Sequence, residues 1–306
     1  MPSGTALACP ASLKGVLSAR EAAAALADGL RTWARADELP VADGGEGTLE
    51  VLHAALGGEW QEARGHDAFG RERVARWLVL PDGTAAVEAA EAIPLDPARL
   101  DPLAASSRGL GETIAAVGRP SALLVCLGGT ANVDGGAGML EVVRALPAKT
   151  TVACDVDARL LAAVRVFGAQ KGATAEQWPE LEARLAPLAP YADLPGAGAA
   201  GGLGAAFASL GAELRAGASM ILELLGFDPP RYDLVVTGEG TVDATTLRGK
   251  APGEVARRCR EARVRCIVFG GRVLERVPGA ETMELSGDPA RARDDLARLG
   301  RLCASG

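Results

Sequence analysis

Along the first sixty residues the apolar positions change period twice. "TALACPA" (5–11) is a continuous apolar run as long as a short buried strand. Ala22, Leu26, Leu30 and Trp33 then recur at helical spacing behind "SARE", where Ser18 and Glu21 stand as an N-cap and its N3 partner. "ELPVADGG" follows, then a second helical stretch from about Glu46 to Leu56, so the opening reads β-α-β-α. From Trp60 to Ala90 the period shortens. "EWQEARG", "ERVARWLVL" and "TAAVEAA", separated by "DAFG" and "PDG", predict antiparallel strands joined by turns. "SALLVCLGG" (121–129) and "TTVACDVD" (150–157) read as buried strands ending in polar loops. "YDLVVTG", a helix over about 251–262 and "VRCIVFGG" make a further βαβ unit. The tail after Arg272 reads as a closing α/β segment with an arginine-rich, solvated helix around 289–301.

The expected fold class is therefore α/β, with two α/β domains built on mainly parallel sheets. A discontinuous Rossmann-like domain spans about 1–58 and 228–306, and an inserted domain of about 59–227 carries some antiparallel strands. The expected ligand site is a crevice between them, lined by loops at the carboxyl ends of parallel strands.

Composition narrows the function. Of 306 residues 48% are hydrophobic and 23% charged, and the formal net charge is -7 with no basic run beside an aromatic cluster, which argues against a nucleic-acid partner. No apolar run reaches about 18 residues and the first residues lack a basic n-region, so neither membrane span nor signal peptide is expected. Six cysteines without a C-x-x-C pair read as buried thiols of a cytoplasmic protein. A homodimer is left open. Glycine, 39 residues, is nearly double the ~7% average and clusters at 43–48, 128–138, 196–204 and 238–253, where backbone must come close to something. Only Lys14, Lys149, Lys171 and Lys250 are lysines, and three of them adjoin a glycine, as suits loops that hold an anion.

Several chemistries lose their footing. Gly196, Gly198 and Gly201 match G-x-G-x-x-G but follow no strand, and neither a Walker A loop nor a G-x-S-x-G elbow occurs. His53 and His66 read as structural or solvated residues. What remains is a set of glycine loops bearing acids and lysines: Asp43 and Glu46, Asp134, Asp155 and Asp157, Lys171, and Glu239, Asp243 and Lys250. Phosphoryl transfer from a nucleotide uses that mixture. Amides hold phosphate oxygens, lysines neutralise charge, carboxylates carry Mg²⁺, and one carboxylate takes the proton of the accepting hydroxyl. The core "GEGT" occurs twice, at 45–48 and 238–241, each time at an expected strand-to-helix turn.

"SLKGVLSAREAAAALADGL", "ADGGEGTLEVL", "LGGTANVDGGAGML", "ACDVD" with "VFGAQKGAT", "GAGAAGGLGAAF" and "VVTGEGTVDATTLRGKAP" follow one another between about Thr5 and Gly271. In this order they resemble the blocks of the class I bacterial glycerate kinases. The resemblance implies ATP-dependent phosphorylation of D-glycerate, usually to 2-phosphoglycerate, with Mg²⁺, in two α/β domains, one inserted in the other. On these blocks we expect Asp43, Asp243 and Lys14 as catalytic residues. Around substrate and nucleotide we expect Ser12, Gly44, Gly45, Glu46, Gly128, Gly129, Thr130, Asn132, Lys171, Gly238, Glu239, Gly240 and Lys250, with Asp134 and Asp155 as metal ligands. The chain departs from the family pattern at Ala11 (aspartate), Val133 (asparagine), Thr241 (arginine) and Thr245 (glutamine), and is shorter on either side of "VACDV". The second reading is therefore a catalytically impaired paralogue that keeps the fold and binds nucleotide or a small hydroxy acid without turnover.

Overall fold

Strand pairing follows the apolar runs. The computed structural model describes residues 4–303. In chain order the elements are β1 (Thr5–Ala8), α1 (Ala19–Leu30), β2 (Arg35–Glu38), α2 (Thr48–Leu56), β3 (Glu59–His66), β4 (Glu72–Val79), β5 (Thr84–Glu88), α3 (Ala89–Ala92) and α4 (Arg108–Ala116). Next come β6 (Ala122–Leu127), α5 (Ala137–Val142), β7 (Thr150–Cys154), α6 (Ala162–Arg165), α7 (Trp178–Leu185), α8 (Ala199–Ser209) and β8 (Glu213–Ala216). The chain closes with α9 (Gly217–Leu224), β9 (Leu234–Val242), α10 (Ala251–Ala262), β10 (Arg265–Val273), β11 (Glu281–Glu284) and α11 (Ala292–Leu302). These elements form two units, Met1–Ala42 with Ala218–Gly306, and Asp43–Gly217. Relative to the boundaries expected from sequence, α2 falls in the inserted unit and nearly all of α9 in the discontinuous one. Asp43 and Glu46 thus belong to the inserted unit, and no shift in composition marks that border.

The discontinuous unit holds the sheet β11-β10-β9-β1-β2, parallel throughout. Alternate residues of each strand go to opposite faces. Ala6, Ala8, Val236, Ile267 and Phe269 join α1 and α11, whereas Leu7, Cys9, Val235, Cys266 and Val268 join α9 and α10. Helix α1 begins as expected: Ser18 Oγ accepts the Glu21 N–H and Glu21 Oε2 accepts that of Ser18 at 3.0 Å. The arginine-rich C-terminal helix is not solvated all round. Ala292, Leu296 and Leu299 are buried in the same cluster as Leu26 and Leu30 of α1. From β1 the chain moves to β2 on one side, and from β9 it moves to β10 on the other. The β1/β9 boundary is therefore a topological switch point.

The inserted unit holds β3-β4-β5-β6-β7-β8, antiparallel from β3 to β5 and parallel from β5 to β8, so the shortened period marks a real hairpin region. The second "GEGT" behaves differently from its sequence echo. Gly238 to Val242 continue β9, with Gly238 opposite Phe269 and Val242 opposite Val273 of β10, whereas Gly45 to Gly47 turn into α2. The long partner strand β10 extends the ladder past the point where the sequence suggests a turn. Among the described residues no helix is long and apolar enough to cross a membrane.

Candidate active site

In the inserted unit, polar residues gather where β5, β6 and β7 end. Asp43 opens the turn into α2, and its Oδ1 accepts the Gly45 N–H at 3.1 Å. Thr48 Oγ1 closes that turn on the Gly45 carbonyl at 2.7 Å. The turn packs against the loop after β6: a Cβ added to Gly128 would stand 2.7 Å from Gly45 Cα and 2.6 Å from Asp155 Oδ2. Only glycine lets two backbones and a carboxylate meet so closely. Glu46 lies beside Gly129, with its Cβ 3.3 Å from the position a Cβ would take there. Asp43, Gly44, Gly45, Glu46, Gly128, Gly129 and Asp155 thus form one patch, as their sequence spacing could not establish.

Glu88, the last residue of β5, was missed from sequence. It is 4% exposed, and its two oxygens accept the N–H groups of Gly47 and Leu49 at 2.9 and 3.1 Å. Burial pushes its carboxyl up to about 7, opposed by those two hydrogen bonds and reinforced by Glu91 and Glu46. The available signal was a lone acid ending the apolar run "TAAVE".

Deeper in the same unit, Asp134 holds the loop between β6 and α5. Its Oδ1 accepts from Asn132 Nδ2 (2.9 Å) and Gly136 N (3.0 Å), and its Oδ2 from Ser107 N (2.8 Å), Ser107 Oγ (2.7 Å) and Gly138 N (3.2 Å). Asn132 also donates to the Ala200 carbonyl at 3.1 Å, and Gly135 N to that of Gly201, so the glycine loop at 196–204 braces this one and starts no dinucleotide fold. Ala200 has φ 50°, a conformation uncommon outside glycine. Lys171 is buried, with Nζ 2.8 Å from the Asn132 carbonyl and 3.3 Å from Thr130 Oγ1. Burial pushes its ammonium down to about 8 against the opposing pull of Asp155 and Asp134. Lys171 and Thr130 therefore stiffen the loop from within.

In the discontinuous unit the switch point gathers the other candidates. Beyond β1 the chain keeps pairing with β9, Cys9 N to Val236 O and Ala11 N to Gly238 O, which sets Ala11, just before the Ser12–Lys14 stretch, beside Gly238. Gly238 is needed for packing, since a Cβ there would lie 2.2 Å from the Phe269 carbonyl, whereas Gly240 faces open space. Glu239 accepts from Thr246 Oγ1 at 2.7 Å and pairs with Lys250 Nζ at 2.9 Å. Asp243 Oδ1 accepts from Thr245 Oγ1 (2.5 Å) and N (2.7 Å), and these contacts, with Lys250, hold its carboxyl below the usual range. Thr245 thus has a local task where the family pattern has a glutamine.

Asp134, one of the two residues expected to hold Mg²⁺, does not fit a resident ion, because both its oxygens are engaged by five protein donors. Among the described residues no group of three or more His, Cys, Asp or Glu could hold a metal ion.

Glycine loops with carboxylates and lysines at the carboxyl ends of parallel strands place this chain with α/β enzymes of the kinase class. The family model described as the Glycerate kinase family matches residues 6–146 and 143–287, and the chain belongs to that family. It is 36% identical over 303 residues to Glycerate 2-kinase of Escherichia coli (strain K12), covering 81% of this chain and 80% of that protein. With Glycerate kinase of Bacillus subtilis (strain 168) identity is 35% over 322 residues, covering 86% and 84%. A solved structure ascribed to a glycerate kinase 2 from Salmonella typhimurium LT2 matches with a TM-score of 0.80 at 30% identity, over 99% of this chain and 98% of that one.

Proposed function

We propose that the protein phosphorylates D-glycerate, preferentially on the 2-hydroxyl, with ATP entering as its Mg²⁺ complex. Family membership is the observation that carries the substrate class, and the relative named Glycerate 2-kinase supports the 2-position. Asp43 takes the proton of the accepting hydroxyl, whose oxygen bonds to the γ-phosphorus as the bond to ADP breaks. Its place on a half-buried turn of glycine amides supports that role. Lys14, Lys250 and the N–H groups of Gly44, Gly128, Gly129 and Gly240 balance phosphate or carboxylate charge, while the Gly45 N–H holds Asp43 in place. Asp243, kept ionised by Thr245, orders the β9–α10 connection around Lys250. Ser12 and Glu46 complete the contacts to substrate. Thr130, Asn132, Asp134 and Lys171 act from behind by holding the β6 loop.

Purified protein with Mg²⁺-ATP should release ADP only when D-glycerate is present, and Asp43→Asn should lower kcat by at least about a hundredfold while leaving the fold intact. Full activity in that variant would remove Asp43 from the base role. Ala11, apolar where the family pattern has an aspartate, supports the second reading. Calorimetric binding of glycerate or ATP without turnover would establish it.

A further inference from the structure

Helix α2 starts without the usual side-chain cap. Its N-cap is Gly47, in a left-handed conformation with φ 86°, and no side chain of the turn itself bonds the first amides. Orphan N–H groups at a helix start need an acceptor. Here it comes from a different element: Glu88 at the end of β5 takes Gly47 N on Oε1 and Leu49 N on Oε2. Those two amides flank the segment that closes the Asp43–Thr48 turn.

The groups facing Glu88 give its charge little help. Glu46 stands on the turn itself and Glu91 on α3, both acidic, and Glu91 is engaged by Arg76 at 2.9 Å. From β6 comes Cys126, a buried thiol pushed well up by burial and by Glu88 and Asp43. The ionised carboxylate is held by the two N–H groups and the positive end of α2. Protonation turns one of the two carboxylate oxygens into a hydroxyl, a much poorer acceptor, so the N–H bond on that oxygen is weakened.

We propose that Glu88 is a positioning residue for the kinase reaction: its ionised carboxylate fastens the Asp43–Thr48 turn through Gly47 and Leu49, and uptake of a single proton loosens the turn. The catalytic part of this rests on Asp43 being the base, as proposed above; the latch itself does not. Because burial raises the Glu88 pKa to about 7, the latch works near neutral pH. Glu88 touches no substrate and acts through the turn that carries Asp43.

The test uses the full chain. The ¹⁵N-amide resonances of Gly47 and Leu49 are followed from pH 5.5 to 8.5, alongside kcat for glycerate-dependent ADP release, in wild type, Glu88→Gln and Glu88→Asp. Both amides should move with one midpoint near 7 in wild type and stay still in Glu88→Gln. Wild-type kcat should fall on the acid side with a one-proton slope about the same midpoint. At pH 8 Glu88→Gln should be slower by roughly tenfold and lack that limb, while Glu88→Asp keeps the limb at a reduced rate. The wild-type titration needs no variant, so a poorly folding substitution does not block the answer. Amides that do not titrate overturn the latch. Titrating amides with a flat kcat profile, or a limb unchanged in Glu88→Gln, overturn the positioning role. Titrating amides in a protein that releases no ADP at any pH leave the latch standing and remove the kinase reading instead.

Discussion

Asp134 shows how far residue type can be read and where orientation takes over. A carboxylate on a glycine loop suggests a metal ligand, but here it accepts five hydrogen bonds and serves as the knot of the β6–α5 loop. Asp134→Asn replaces one accepting oxygen by an NH₂ group and leaves buried N–H groups facing it. We expect a loss of about 2–4 kcal/mol in urea unfolding, equal with and without Mg²⁺; a loss confined to Mg²⁺-containing buffer would restore the metal role. Sequence singled out Asp134, Asn132 and Lys171 as polar residues of glycine loops, Asp134 for a metal and the other two for substrate or nucleotide, because polar side chains among glycines are conspicuous. It could not tell that Lys171 points into the interior. Nor could it find Ser107, which looks like any loop serine in "ASSRG". Val133, the departure from the family pattern, is fully buried in the apolar core while Asn132 makes the bond to Asp134.

At the scale of elements, periodicity located most strands and helices but not how they end. Strand β9 runs through "GEG" because β10 is long enough to pair with it and Gly238 leaves room for Phe269; both facts come from the partner strand and are invisible locally. The C-terminal helix is similar. Its many arginines suggest a solvated helix, yet Leu296 and Leu299 form a buried stripe against α1. That contact is close enough to need glycine on both helices. A Cβ at Gly29 would lie 2.1 Å from the Ala297 carbonyl, and one at Gly300 would lie 2.5 Å from the Leu26 carbonyl. In an exposed helix Gly→Ala would stabilise by up to ~1 kcal/mol. Gly29→Ala should instead destabilise by about 1–3 kcal/mol, since the clash is with backbone and the helices must separate. Thermal unfolding beside the exposed control Asp28→Ala checks the sign, and a stabilised Gly29→Ala would contradict the close α1–α11 packing.

For the molecule as a whole, the α/β class and its mainly parallel sheets were legible because buried parallel strands leave continuous apolar runs, and the family blocks lie in order along nearly the whole chain. Unlegible was the electrostatic cost carried by the Asp43–Gly217 unit, since a buried charge has no sequence mark of its own. Glu88 titrates at about 7 in place of 4.5, so between those values the folded chain holds a proton that the unfolded chain has released. Stability from this group is therefore present at low pH and declines as pH rises through 7. Lys171 titrates at about 8 in place of 10.5, so between those values the unfolded chain holds the extra proton, and stability recovers as pH rises from 8 toward 10.5. Each shift corresponds to a cost on the order of 3 kcal/mol, and the two overlap in full between pH 7 and 8, where an ionised Glu88 best holds the Asp43 turn. Function and stability thus pull Glu88 in opposite directions. Other titrating groups cancel when Glu88→Gln is compared with wild type. The stability of the variant relative to wild type should therefore climb between pH 5 and 8 and then level off, even as its turnover relative to wild type falls. Urea unfolding at four or five pH values reads that difference. A constant offset would mean that Glu88 carries no folding-linked proton, and the pH dependence assigned to the latch would lose its physical basis.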